Sequence, residues 1–306
     1  MIFRNITEAY PAIISDIINN GQKVNSRGMD CIEKTNYSFV ITDVSQPLAA
    51  QKKRRLNVAY AVLEPFLLTM PQTYSVVDAC NFYVGKFLRA NVVDPKTEKM
   101  FGWYGDRLNH NGRNQLLDAF EVLKTDPGSR RAVITIHNSQ DELFRSASKD
   151  TPCTLEIQFL VRGDRLDCYV NMRGNDVMLG TPQNVAMWTF FQRMMAKWLG
   201  IQAGVYYHRV NSMHLYVRDI AKAKEVIQSA KELREDVLGL KHEWEMPDPV
   251  ESLRMCELFA KEEMIYREMG VRTKNLTGGL EELFTGVIAP AIDSKKHQNP
   301  YANAEG

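Results

Sequence analysis

Apolar residues recur at helical spacing over residues 5–20, where Ile6, Tyr10, Ile13, Ile14, Ile17 and Ile18 share a side. Thr7 and Glu8 suit the start of that helix, and Gly21 its end. Residues 36–43 read as a strand, and 54–70 as a helix in which Pro65 is a reason for a kink or break. The polar stretch 90–111 predicts a long loop, followed by a helix over 113–125 that stops at Asp126-Pro127-Gly128. Three strands are predicted at 131–137, 154–162 and 165–173, and Gly163-Asp164 makes the last two an antiparallel hairpin. Residues 183–199 are apolar around most of a helix, as expected of a buried central helix. An amphipathic helix over 217–238 follows, then a break at Pro247 and Pro249, a charged helix over 250–268, and a final dozen polar residues expected to be mobile. The pattern predicts an α+β domain over 1–240, with a sheet around the central helix, and a helical C-terminal extension over 241–306.

Composition narrows the function. Of 306 residues 44% are hydrophobic and 25% charged, and 38 Lys and Arg nearly balance 37 Asp and Glu. No overall basic field therefore draws in a nucleic acid polymer, although a local cluster of Arg would still serve a small anion. The five cysteines are odd in number and lack CxxC spacing, which argues against a disulfide framework or a zinc site and for reduced thiols in the cytoplasm. No apolar run reaches the roughly 18 residues that span a bilayer. Glu8 and Asp16 interrupt the N-terminal apolar stretch, so neither a signal peptide nor a membrane partner is expected.

Five segments hold the candidate chemistry. Cys153, in Thr151-Pro152-Cys153-Thr154, opens a strand; it is a buried small residue or, beside positive charge, a nucleophile. Arg130 and Arg131 follow a turn, as solubilising residues or anion ligands. Arg173, Gly174, Asp176, Gly180 and Asn184 crowd between a strand and the central helix, where the plain alternative is that Asn184 or Thr181 caps that helix. His214 and Tyr216 share a face if extended. Glu64 lies in an apolar helical stretch, facing solvent or buried for a reason.

In this order and spacing, Ser-Arg-Arg, Pro-Cys, Arg-x-x-Asp-x-x-x-Gly and His-x-Tyr resemble the thymidylate synthase family, and more closely its pyrimidine nucleotide hydroxymethylases. The resemblance is clear over 126–219, weaker over 21–125, and absent from about 240 onward. It implies a thymidylate synthase-like fold with a mixed or antiparallel sheet, and a homodimer. The implied substrates are a pyrimidine nucleoside monophosphate and 5,10-methylenetetrahydrofolate, with no metal. Residue by residue, it makes Cys153 the nucleophile and Arg173 a phosphate ligand beside it. Arg130 and Arg131 would reach the phosphate of the neighbouring subunit, and Arg27 would bind phosphate from an N-terminal loop. Asp176 and Gly180 would lie on the folate side. Asn184 would read the pyrimidine edge, His214 and Tyr216 would hold the sugar 3′ hydroxyl, and Glu64 would organise water and proton transfer. Each Arg–phosphate contact of this kind contributes about 1.5–3 kcal/mol.

Departures from the synthases refine the expectation. Thr154 stands where synthases carry His, Met172 where they carry Gln, Ser212 where they carry Asp, and Phe101 where Tyr is usual. Gly174 replaces the usual Ser, which leaves room for a ribose 2′ hydroxyl. The chain does not end in the short apolar segment that synthases fold over the folate. Water entering such a site would add to the methylene on C5 and give a hydroxymethyl product, whereas a dry site would give methyl with dihydrofolate release. The alternatives are a thymidylate synthase and a catalytically silent nucleotide- or RNA-binding member. Uracil and cytosine both remain open, because the Asn184 amide can present either edge.

Overall fold

The computed structural model describes residues 1–26, 28–85, 92–94, 96–138, 150–240, 244–246 and 248–298. Its main sheet has the order β1-β3-β10-β8-β7-β6, with β2 paired to β3 and β9 to β10. The strands are β1 (Ile2–Phe3), β2 (Gln22–Ser26), β3 (Met29–Ile41), β6 (Val133–Thr135), β7 (Thr154–Arg162), β8 (Arg165–Met172), β9 (Asn175–Asp176) and β10 (Gln202–Tyr216), while β4 (Asn109–His110) and β5 (Arg113–Asn114) make a separate small hairpin. β10 runs antiparallel to β3 and parallel to β8, so the sheet is mixed, as expected. The hairpin predicted at Gly163-Asp164 is present, with Arg162 opposite Arg165 and Gly163 at φ 61°.

The helices are α1 (Ile6–Asn20), α2 (Val58–Leu67), α3 (Tyr74–Val84), α4 (Tyr104–Leu108), α5 (Gln115–Thr125), α6 (Gly180–Trp198), α7 (Ile220–Gln228), α8 (Glu235–Leu238), α9 (Pro249–Met269), α10 (Gly278–Leu283) and α11 (Ala289–Gln298). α1 and α6 cover one face of the sheet. α6 is the buried central helix: Val185, Trp188, Phe190, Phe191, Met194 and Met195 are all buried. α1 is capped by Asn5, whose side-chain oxygen accepts the N–H of Glu8, two positions before Thr7. α2 runs through Pro65, at the cost of one intrahelical hydrogen bond to Ala61.

The C-terminal helices share the core. Phe259 of α9 stacks on Phe66 of α2 at 4.2 Å, and Arg267 pairs with Glu263 at 2.9 Å and with Asp78 of α3. Lys295 of α11 donates to the carbonyls of Phe82 and Tyr83 at the C-terminus of α3.

Some expectations need correction. The predicted strand at 36–43 is the second half of a longer β3, and that at 131–137 is only three residues long. The single helix predicted over 217–238 is broken into a 3-10 turn, α7 and α8. Its middle is recruited for backbone pairing with residues 50–52: Lys52 N–H donates to Glu232 O at 2.9 Å and Arg234 N–H to Ala50 O at 2.8 Å. The loop predicted at 90–111 contains α4 and β4. Arg27 and the end of the tail, residues 299–306, lie outside the described residues, and α11 occupies 295–298.

Candidate active site

Cys153 immediately precedes β7 and is half-buried. Arg173 follows the neighbouring strand, and its N–H donates to Cys153 O at 2.9 Å, extending the β7–β8 ladder by one bond. Its guanidinium then folds back along the preceding loop. Nε donates to Pro152 O at 2.8 Å and Nη2 to Thr151 O at 2.8 Å, which leaves Nη2 at 3.6 Å from Cys153 Sγ. A fixed cation beside a thiol favours the thiolate.

Tyr104 closes the other side. Its hydroxyl oxygen accepts the N–H groups of Cys153 at 3.2 Å and Thr154 at 3.0 Å, and its ring stacks on Trp188 of α6. Burial, and after it the Cys153 charge, pushes the Tyr104 phenol well above its ordinary value. The turn that delivers it needs Gly105, because a Cβ there would lie 1.9 Å from Met70 O, the same carbonyl that accepts the Trp103 indole N–H at 3.2 Å.

Tyr104, which anchors the Cys153 N–H, also lines a cleft of about 170 Å³ together with Tyr60, Glu64, Trp103, Asp150 and Asn184. Glu64 accepts from Tyr60 Oη at 2.9 Å and from Gln183 Nε2 at 2.9 Å. Burial raises its carboxyl to about 6, against the pull of those two donors. Asp150 accepts Gly102 N–H at 2.7 Å and is also raised by burial. The Asn184 amide donates to Met172 Sδ at 3.6 Å. It is not a helix cap: α6 starts after Leu179 without a side-chain cap, and Thr181 Oγ1 donates to Asn175 instead, at 2.6 Å.

Gly174, Asp176, His214 and Tyr216 gather in a second group where β9 meets β10. His214 lies opposite Asp176 in register and at 5.1 Å, edge to face, from the Tyr216 ring. His214 Nδ1 donates to Ser212 O at 3.2 Å. A Cβ on Gly174 would sit 4.0 Å from His214 Cε1, so these two residues border one space. Asp176 Oδ1 accepts the N–H groups of Met178 at 2.7 Å and Leu179 at 3.2 Å, which shapes the turn into α6; burial raises its carboxyl. A Cβ on Gly180 would lie 2.6 Å from Asn175 Nδ2, so a larger residue there would have to displace that amide.

Arg130 and Arg131 stand apart. Both are exposed, before β6, and have no acidic partner among the described residues. Gln158 Nε2 donates to Arg130 O at 2.7 Å, and Gln158 is five residues along β7 from Cys153, roughly 16 Å at strand rise. Within one protomer these arginines are not brought to the thiol. Sequence reasoning missed Tyr104, Asp150, Tyr60 and Gln183. It noted Phe101 where Tyr is usual, but a tyrosine stands three residues on, against the nucleophile candidate. Among the described residues, no group of three or more His, Cys, Asp or Glu could hold a metal ion, and no helix is long and apolar enough to cross a membrane.

Comparison with known proteins gives the family. The thymidylate synthase family model matches residues 8–251. A deoxyuridylate hydroxymethyltransferase of Bacillus phage SP01 is 30% identical over 230 residues, covering 72% of this chain and 60% of that one. A thymidylate synthase of Mycoplasma mobile is 25% identical over 247 residues, covering 71% and 84%. A thymidylate synthase of Listeria monocytogenes serotype 4a is 32% identical over 112 residues, covering 37% and 35%. The chain thus spans 60% of the phage protein's length and 35% of the Listeria enzyme's. With a match across most of its length, and an arginine held against a thiol whose anchor Tyr104 shares a cleft with the Glu64 carboxylate, the chain belongs to the thymidylate synthase family.

Proposed function

We propose that this protein is a one-carbon transferase that hydroxymethylates C5 of a pyrimidine nucleoside 5′-monophosphate, with 5,10-methylenetetrahydrofolate as co-substrate. The observation that carries it is the 3.6 Å approach of Arg173 Nη2 to Cys153 Sγ. The Cys153 thiolate adds to C6 of the pyrimidine, moving an electron pair onto C5 and the adjacent carbonyl or imine. Asn184 donates to the base edge, where that charge develops. C5 then bonds the one-carbon unit, tetrahydrofolate departs, and C5 loses its proton. Water adds to the resulting methylene, and elimination of Cys153 restores the ring. Glu64 handles water and the proton. Leu68, Val92, Met100 and Trp103 give the cleft an apolar wall suited to a flat ring. The route uses no metal.

The relative named a deoxyuridylate hydroxymethyltransferase supports the hydroxymethyl product and makes dUMP the first nucleotide to try. Arg173 serves the phosphate beside the thiol, joined by Arg27. His214 and Tyr216 take the sugar, with Gly174 beside them, and Asp176 and Gly180 border the folate. The sheet face opposite α1 and α6 carries the stacked, half-buried pair Tyr169 and Tyr207, and a second copy of the chain packs there. Arg130 and Arg131 then reach the partner's nucleotide. The enzyme works in the cytoplasm.

The relatives named thymidylate synthases favour a second reading, methylation with dihydrofolate release. Mass spectrometry after incubation with dUMP, UMP, dCMP or CMP and the folate separates the two. A hydroxymethyl product without dihydrofolate is expected; a methyl product with dihydrofolate selects the synthase. Absence of product and of tritium release from C5-labelled nucleotides would overturn both and leave a silent binder.

A further inference from the structure

Glu64 is gripped on both oxygens by side chains from two helices. Oε1 accepts the Tyr60 hydroxyl at 2.9 Å, from one turn earlier on α2, and Oε2 accepts Gln183 Nε2 at 2.9 Å, from the first turn of α6. A carboxylate held by one donor can still swing about its last bond; held on both oxygens by donors from different elements, it has one orientation. The Tyr60 donor is itself fixed. The Tyr60 ring stacks on Tyr83 of α3 with centroids 6.3 Å apart, and Cys80 Sγ lies 3.8 Å from its hydroxyl. An ionised carboxylate only accepts, so the single phenolic proton is committed to Glu64.

We infer that Tyr60 and Gln183 are positioning residues that fix the Glu64 carboxylate for proton transfer in the cleft beside Cys153. The inference rests on the proposed one-carbon transfer for the use of Glu64, but the clasp itself stands on geometry. Each oxygen keeps a second acceptor site, so the group still bonds water or substrate while held. Both donors favour its ionised form, opposing the burial that favours the neutral one. The other titratable groups around it are the Tyr60 phenol and the Cys80 thiol, both pushed up by burial and so uncharged, with Asp150 and Tyr104 lining the same cleft. None of them supplies positive charge, which leaves the two donors as the groups opposing burial.

The test uses Tyr60→Phe and Gln183→Met in the full chain. The first keeps the ring on Tyr83 and loses only the hydroxyl; the second keeps the length of the side chain and loses only the amide. Each lost donor moves Glu64 ionisation upward by on the order of one pH unit. Infrared difference titration reads this without turnover, using the protonated-carboxyl band that disappears in Glu64→Gln. We expect its midpoint to rise in both variants. The acid limb of kcat should rise in step, kcat should fall about tenfold at low pH, and KM should stay within about threefold. An unmoved carboxyl midpoint in both variants would overturn the inference, as would an unmoved acid limb of kcat. The two substitutions lie on different helices, so misfolding of one leaves the other as the test. A shifted midpoint in a protein that turns over no nucleotide would leave the clasp standing and remove the proposed function instead.

Discussion

The guanidinium of Arg173 is held by the carbonyls of Thr151 and Pro152 so that its Nη2 stays 3.6 Å from Cys153 Sγ. The loop that carries the proposed nucleophile therefore also fixes the cation beside its sulfur. Cys153→Ser is expected to abolish product formation. Arg173→Met should slow alkylation of Cys153 by iodoacetamide at pH 7 by about tenfold or more, because a charge-assisted contact to the thiolate contributes about 1.5–3 kcal/mol. Mass mapping of the alkylated peptide over time measures it, and an unchanged rate would remove Arg173 from that role.

Tyr104→Phe keeps the stack on Trp188 but leaves the N–H groups of Cys153 and Thr154 without their acceptor. Each unsatisfied buried donor costs about 1–3 kcal/mol. Thermal unfolding should show a Tm lower by roughly 5–10 °C. The alkylation rate of Cys153 should change as well, since its backbone is no longer anchored.

Arg267→Ala leaves Glu263, which is 0% exposed, without its partner in the core. Breaking a buried pair in this way costs about 3–5 kcal/mol. Replacing both residues, as Arg267→Met with Glu263→Leu, should recover most of that loss. Denaturant melts of the single and double variants compare them, and equal losses would contradict the argument.

His208 is buried against Phe39, shares a hydrogen bond of 2.8 Å between Nδ1 and the Tyr206 hydroxyl, and has its pKa lowered by burial to about 3. Its folded value lies below its unfolded one, so its contribution to stability is complete above about pH 6.5 and is lost as pH falls towards about 3. His208→Gln should flatten the decline of stability with acid over that window. Urea midpoints measured from pH 7 to pH 4 would reveal it, and parallel curves for the two proteins would rule it out.

Arg131→Ala and Cys153→Ser should each be inactive alone, and mixing them under exchange conditions should restore part of the activity. A mixed dimer has one site with both an intact thiol and an intact partner arginine. Sedimentation should report a dimer, and a monomer at all concentrations would end the cross-subunit role.

Local pattern carried the sheet hairpin and the central helix, because Gly163 and the apolar circumference of residues 183–199 depend only on near neighbours. It could not carry the helix expected at 217–238, whose middle is claimed by backbone pairing with residues 50–52, far off in the chain. The nucleophile candidate and its arginine were legible as a motif. Tyr104 was not, since its hydroxyl meets backbone N–H groups, which have no sequence signature. The Gln183–Glu64 bond spans 119 positions, and nothing local to either residue announces the other.

Lys295 grips the last carbonyls of α3 while Arg267 holds Asp78 about one turn earlier on the same helix. Elements tied this way open together rather than fraying separately. Amide deuterium uptake in α11 should therefore rise and fall with that in α3, and a ligand that quiets α3 would also slow exchange at the far end of the chain, where it makes no contact.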